Sequence, residues 1–316
     1  MLTEVSPSAQ RFIDAFEYVL YTNAQYAYTN PLNLILPNRK IAAARKVMID
    51  WIREYAEQAR VEGKSGSRER NYVFIDALLA SGADEEYVIG QLLGIIFAGR
   101  DATAIAMTAL LWFLARNPDV VAKIREEMAG LGDSGKNPTW TQVRGLRYLN
   151  NAVKETLRLF PPVPINSRTA NKDTVLPLGG GPEGKDPVYV RKGTPCRWIL
   201  YSLHRRKDLY GEDADVFRPE RWDELDIGSV LSINPLNMKM GNTDKRLSSW
   251  DWLPFQGGPR RCIGEQFAMT NISFVAYRIL QRFPTIEARD DDDWLLSHSG
   301  PTVLLHKGCK VGMIPG

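Results

Sequence analysis

Phe255-Gln-Gly-Gly-Pro-Arg-Arg-Cys262-Ile-Gly-Glu-Gln-Phe-Ala268 sets a single cysteine between a glycine-rich loop and the start of an amphipathic helix. Backbone N–H groups and the positive helix end at such a junction stabilise a thiolate. Gly257, Gly258 and Gly264 permit close approach of the backbone to a flat ligand. Arg260 and Arg261 are placed to meet acidic groups on that ligand. Taken alone, a cysteine is more often a small buried side chain in a tight turn. The full string argues otherwise: Phe255, Gly258, Arg260, Cys262 and Gly264 occupy every fixed position of F-x-x-G-x-R-x-C-x-G.

Downstream, a final helix is expected from about Gly264 to Gln281. The acidic run Asp290 to Asp293 then reads as a solvated turn, and Val303 to Met313 as a terminal hairpin. Upstream, residues 207–250 have little periodicity and are rich in Trp, Pro, Asp and Asn. So long an irregular connection needs a function to order it. Between Val163 and Leu203, the runs Asp173-Thr-Val-Leu and Val188-Tyr-Val predict short hairpin strands. Gly179, Gly181 and Gly184 between them formally match G-x-G-x-x-G. No helix follows and Pro182 interrupts, so a hairpin turn is expected there, not a nucleotide site.

Earlier still the chain is helical. Residues 8–62 read as two or three helices broken at Asn30-Pro31 and Leu36-Pro37-Asn38, and Gly63 to Arg70 as a solvated loop. A long helix is expected from about Glu85 to Arg116, with Asp84, Glu85 and Glu86 at its positive end and Asn117-Pro118 stopping it. Helices over Val120 to Met128 and, after Thr141 as cap, over Arg144 to Leu159 follow, the latter ended by Pro161-Pro162. No internal repeat is present at a fixed period.

The 316 residues, 44% hydrophobic and 24% charged, suit a folded globular chain. Forty basic against 37 acidic residues give +3, too little bias to predict nucleic acid as a partner. Cys196, Cys262 and Cys309 are odd in number and far apart, which fits neither a disulfide framework nor a Cys/His zinc site. The start, Met1-Leu-Thr-Glu-Val-Ser-Pro-Ser, lacks the charged-then-apolar pattern of a signal peptide. The longest apolar stretch, Val88 to Leu114, carries Arg100 and Asp101 at its middle, a costly pair in lipid, so a core helix is expected.

The cysteine string resembles the signature of the cytochrome P450 family, and three further segments resemble that family in the expected order. Glu155-Thr-Leu-Arg158 looks like its E-x-x-R motif, with both charges on one helix face. Phe217-Arg-Pro-Glu-Arg221-Trp is similar to its meander motif. Ala98-Gly-Arg-Asp101-Ala102-Thr103 resembles its oxygen-activation segment A-G-x-D-T-T. The resemblance implies a mainly α fold with small β-sheets, the cytochrome P450 fold, here its C-terminal part only. Residues 1–316 are thus expected to be a single incomplete domain with the oxygen-activation helix at about 85–116 and the heme-binding loop at 255–264. The family's N-terminal portion, including its membrane anchor, is expected to be missing.

For the site, the resemblance implies heme b (iron protoporphyrin IX) with Cys262 as axial ligand of the iron. Phe255, Gly264, Arg260 and Arg168 are implied as cofactor contacts, and Glu155, Arg158 and Arg221 as a buried structural triad. Gly99 would loosen the long helix beside the iron, and Asp101 with a hydroxyl would pass protons. The family's usual relay threonine is replaced by Ala102, and the hydroxyl comes one residue later, at Thr103. One residue turns a helical side chain by about 100°. Either Asp101 and ordered water carry the protons, or oxygen use is poorly coupled to product; Thr103 as a helix residue bonding its own backbone is equally open.

Ile95, Ala98, Ala102 and Val163 are expected at the substrate. V-P-x-N-x-R-x-A, L-x-x-G-G-G and the Gly211 to Trp222 block resemble the fungal alkane and fatty-acid hydroxylases, implying O2-dependent hydroxylation of a long aliphatic chain. A cytochrome P450 of secondary metabolism and an inactive remnant are the alternatives. The implied partners are NADPH-cytochrome P450 reductase, through which alone NADPH acts, O2 and a hydrophobic small molecule, with the chain a monomer. Lys245, Arg246, Arg260 and Arg261 would give the reductase a basic face. The implied location is the cytosolic face of the endoplasmic reticulum membrane, or the cytoplasm without the anchor.

Overall fold

The computed structural model describes residues 5–29, 38–65, 74–132, 136–227, 246–248, 250–291, 296–299, 302–305 and 307–315. The chain divides into two compact units, Met1–Asp101 with His298–Pro301, and Ala102–Ser297 with Thr302–Gly316. The fold is mainly helical with small two-stranded sheets, as the cysteine string and its companions imply.

The first unit holds α1 (Pro7–Thr29), α2 (Arg39–Ser65), α3 (Phe74–Ala80) and the beginning of α4 (Glu85–Arg116). Helix α2 runs through Gly63 to Ser65, where a loop was expected; the rest of that expected loop, 66–70, lies outside the described residues. Phe12, Phe16, Val19, Ile41, Met48, Ile52 and Ile89 form its core, with Phe12 stacked on Trp51 at 4.4 Å. Arg100 leaves the core's rim to reach Glu17 at 2.6 Å, its guanidinium over Phe16. This contact explains how a charge sits within an apolar helix.

Helix α4 keeps both boundaries expected from its punctuation. The Asp84 carboxylate accepts the Tyr87 N–H at 2.7 Å, capping its start, and Pro118 follows its end. By length and composition α4 could cross a membrane, the one such helix among the described residues. From Ile105 on, however, Ala106, Ala109, Leu110, Phe113 and Leu114 repeat at helical spacing and are buried in the core of the second unit.

The second unit contains α5 (Pro118–Ala129), α6 (Trp140–Gly145), α7 (Arg147–Leu159) and α11 (Glu265–Arg282) packed around that core. The single helix expected over 144–159 is two helices that break at Leu146. The cap is Thr139, not Thr141: its hydroxyl accepts from the Gln142 N–H at 3.3 Å while the Gln142 side chain accepts the Thr139 N–H. Thr141 lies inside α6.

Strands β1 (Ile165–Thr169), β2 (Thr174–Gly180), β3 (Asp186–Val190) and β4 (Pro195–Ile199) form two antiparallel pairs, β1 with β4 and β2 with β3. Gly179, Gly181 and Gly184, all at positive φ, build the turn between β2 and β3, as the absence of a following helix implied. A Cβ on Gly181 would stand 2.0 Å from the Asp186 carboxylate. Short helices α8 (Leu200–Leu203), α9 (Lys207–Tyr210) and α10 (Arg221–Glu224) order the meander, followed by two-residue strands β5 (Asp226–Ile227) and β6 (Arg246–Leu247). Strands β7 (Thr285–Ala288), β8 (Leu296–Ser299), β9 (Thr302–Leu305) and β10 (Val311–Ile314) complete the chain. The terminal hairpin expected over 303–313 is not formed: β10 pairs with β7, across from Thr285 to Ala288.

Candidate functional site

The site grows from one buried carboxylate. Glu155, on the inner face of α7, is fully buried with Arg158 one turn on, and Arg221 comes to them from α10. Oε1 of Glu155 accepts from Arg158 Nη2 at 2.8 Å, the Arg218 N–H at 3.1 Å and Arg221 Nε at 3.2 Å. Oε2 accepts from Arg158 Nε at 2.9 Å and the Trp222 indole at 3.0 Å. A carboxylate so fully hydrogen-bonded is stable without water; removing one partner of a buried pair like this costs about 3–5 kcal/mol.

Two cations against one carboxylate need a second anion, and Asp213 supplies it. Its carboxylate accepts from Arg221 Nη1 at 2.9 Å, and the Arg221 guanidinium, with Arg218 on the other oxygen, holds the Asp213 carboxyl below its ordinary range. Neither Asp213 nor Trp222 was anticipated from the sequence.

This network reaches the cysteine loop through two residues. Arg158 Nη1 donates to the His204 carbonyl at 2.7 Å, and the His204 imidazole Nε2 accepts the Leu253 N–H at 2.9 Å. Arg221 donates to the Tyr210 carbonyl, and the Tyr210 hydroxyl donates to the Asp251 carbonyl at 2.8 Å. Burial drives the His204 imidazole down to about 3, so it stays neutral and can accept that bond. The segment leading into the loop is thereby fixed on both sides.

The loop closes on itself: the Cys262 N–H donates to the Phe255 carbonyl at 2.9 Å, and Gly258–Arg260 makes one 3-10 turn before α11 begins. Phe255 packs on the core and meets Trp252 edge-on. Gly257 lies so close to Trp250 that a Cβ would come within 2.8 Å of its ring. Cys262 is exposed, Cys196 and Cys309 are partly buried, and none of the three is in a disulfide. Gly264 leaves the sulfur uncovered; even a methyl there would stand 3.8 Å from Sγ.

The two adjacent arginines have different partners. Arg261 is held by Glu265 of α11 at 2.6 and 2.7 Å, whereas Arg260 is exposed and forms no ion pair among the described residues. Lys245 lies outside the described residues and so does the Arg246 side chain; of the two described members of the expected basic face, Arg260 is the one without an ion pair. Arg168, on β1, lies over Trp198 at 5.4 Å and, among the described residues, bonds only Asn166 and the Ser167 carbonyl.

On α4, Ile95 and Ala98 are exposed, while Asp101, Ala102 and Thr103 are half-buried; Val163, before β1, is half-buried. The helix runs unbroken through Gly99. The Thr103 hydroxyl has no hydrogen-bond partner among the described residues, so it does not bond its own backbone.

No three His, Cys, Asp or Glu side chains converge on a metal-sized site among the described residues. The donor set around Cys262 is instead one open thiol, a glycine-lined approach, the exposed apolar side chains of Ile263 and Phe267, and Arg260, which has no carboxylate partner among the described residues. That combination fits a flat, largely apolar group that takes one sulfur ligand and carries anions at its edge, which are the properties of heme.

Comparison with known proteins points the same way. The Cytochrome P450 family profile matches residues 1–311. The chain is 39% identical over 285 residues to a protein named Cytochrome P450 from Arthroderma benhamiae, covering 88% of this chain and 54% of that one. It is 37% identical to Cytochrome P450 52A6 of Candida tropicalis, over 87% of this chain and 49% of the relative. To Cytochrome P450 monooxygenase alt2 of Alternaria solani it is 39% identical, over 90% of this chain and 51% of the relative. It therefore spans about half the length of the relatives it matches. With a family match over nearly every residue and relatives at 37–39% identity, the chain belongs to the cytochrome P450 family, a family of heme-thiolate oxidoreductases.

Proposed function

We propose that this chain carries the cofactor-binding part of a heme-thiolate monooxygenase that hydroxylates a long aliphatic substrate. The observation that carries the reading is the exposed Cys262 thiol at the tip of a loop held by the Glu155 network. Bound there, the heme would supply O2 activation, with the thiolate donating electron density that favours O–O cleavage.

The chain's own residues take the remaining roles. Cys262 ligates the iron, Phe255 and Gly264 shape the approach to the ring, and Arg260 and Arg168 attract its carboxylates. Glu155, Arg158 and Arg221 hold the loop in register. Asp101 and Thr103 deliver protons, Thr103 with a hydroxyl free of its own helix. Ile95, Ala98 and Ala102 share a stripe of α4 at i, i+3 and i+7 spacing that offers a small apolar surface to substrate, and Val163 is the fourth residue assigned to the substrate. Electrons come from NADPH through a reductase partner, at the cytosolic face of the endoplasmic reticulum.

An aliphatic substrate is favoured by the resemblance to alkane and fatty-acid hydroxylases and by the absence of charge along that stripe. Identity alone does not choose, since 52A6 and alt2 stand at 37% and 39%. The test is product analysis after incubating the chain with heme, reductase, NADPH and 18O2, with dodecane and lauric acid against a panel of polycyclic substrates. One labelled oxygen at or near a terminal carbon is the expected result. Labelled products from the polycyclic panel alone would assign the site to secondary metabolism, and none from any substrate would remove the activity.

A further inference from the structure

Gln256 is the one non-glycine among the described residues with a left-handed backbone, φ 64°. Side chains other than glycine and asparagine rarely adopt that conformation, so a glutamine here calls for a reason in its amide. The Trp198 indole, from β4, donates to Gln256 Oε1 at 3.0 Å. An indole N–H can only donate, so the amide oxygen must be the atom facing it, and chemistry fixes the amide's orientation. Nε2, with two N–H donors, is then turned away from Trp198. It is shielded from water and has no acceptor among the described residues.

A buried donor without an acceptor is a standing penalty that a ligand atom can relieve. What lies nearby identifies the kind of atom. The same Trp198 carries the Arg168 guanidinium over its ring at 5.4 Å, and Arg168 has no carboxylate partner among the described residues. An unsatisfied amide donor and an uncompensated cation therefore share one tryptophan, and the donor is six residues before Cys262 in the loop that presents the thiol. Together they call for an anionic oxygen.

We infer that Gln256 anchors the acidic edge of the cofactor: its Nε2 donates to a heme propionate that Arg168 also attracts, while Trp198 positions both. The inference rests on the reading of Cys262 as the heme ligand. It also explains the left-handed backbone, since that conformation turns the amide toward β4 without moving the cysteine.

The test titrates the full chain with hemin and with hemin dimethyl ester, whose propionates are neutral, following Soret absorbance and quenching of tryptophan fluorescence. Gln256→Met should weaken hemin binding about tenfold and leave the ester's affinity within about twofold. Gln256→Glu, which sets carboxylate against carboxylate, should bind hemin more weakly still at pH 7 and recover on acidification. Equal loss of both cofactor forms in Gln256→Met, or loss of neither, overturns the inference while leaving Cys262 as ligand intact. Failure of the unaltered chain to take up hemin overturns both.

Discussion

Glu155 accepts five hydrogen bonds in a site with no exposure, and His204 passes that rigidity to the backbone of Leu253. The histidine's protonation is therefore linked to stability. Burial pushes it down to about 3, against about 6.5 in an unfolded chain. Between those values the unfolded chain binds the proton and the native chain does not. Stability is fully present above 6.5 and falls as pH drops toward 3, by up to about 1.4 kcal/mol per pH unit. Urea unfolding between pH 5 and 6.5, where carboxylates are still ionised, should show this slope, and His204→Gln should lose it; equal slopes would place the proton elsewhere. Glu155, Arg158 and Arg221 were legible through the resemblance of their two segments to family motifs, since an i, i+3 charge pair by itself reads as a surface salt bridge. Asp213 was not, since Glu212, Asp213 and Asp215 look alike in a solvated acidic run. His204, preceding Arg205 and Arg206, reads as surface until the fold buries it.

Within the cysteine loop, two glycines serve different partners. A Cβ at Gly257 would press on Trp250 at 2.8 Å and on Leu253 at 3.2 Å, both part of the protein, whereas one at Gly264 meets only the Cys262 sulfur at an ordinary 3.8 Å. Gly257→Ala should therefore lower the unfolding midpoint as well as heme uptake. Gly264→Ala should leave unfolding unchanged and alter only the Soret band. Matching thermal losses in both variants, by differential scanning calorimetry, would refute the distinction. Element boundaries were readable where punctuation is chemical, as at Asp84 and Pro118 around α4. They were not readable at Leu146, where the apolar repeat continues through the break between α6 and α7. Nor was the partner of β10, because its register is set by β7 on the far side of the intervening strands.

At the scale of the molecule, the sequence motifs that identify the family lie from Ala98 onward, and the Glu155 network, the cysteine loop and the β1–β4 pair all belong to one compact unit. Fold class was legible because these motifs are local strings. The division of the chain into two units was not, since it depends on contacts between distant segments. The chain spans about half the length of its relatives, so cofactor binding by this part is the claim on which activity, substrate and reductase all depend. It is tested most directly by the absorbance spectrum of the heme-loaded chain, reduced under CO, for the unaltered protein and for Cys262→Ala, Cys196→Ala and Cys309→Ala. Ligation by Cys262 predicts the red-shifted thiolate band in all but Cys262→Ala. A band that survives Cys262→Ala, or that is lost equally in all three variants, contradicts it.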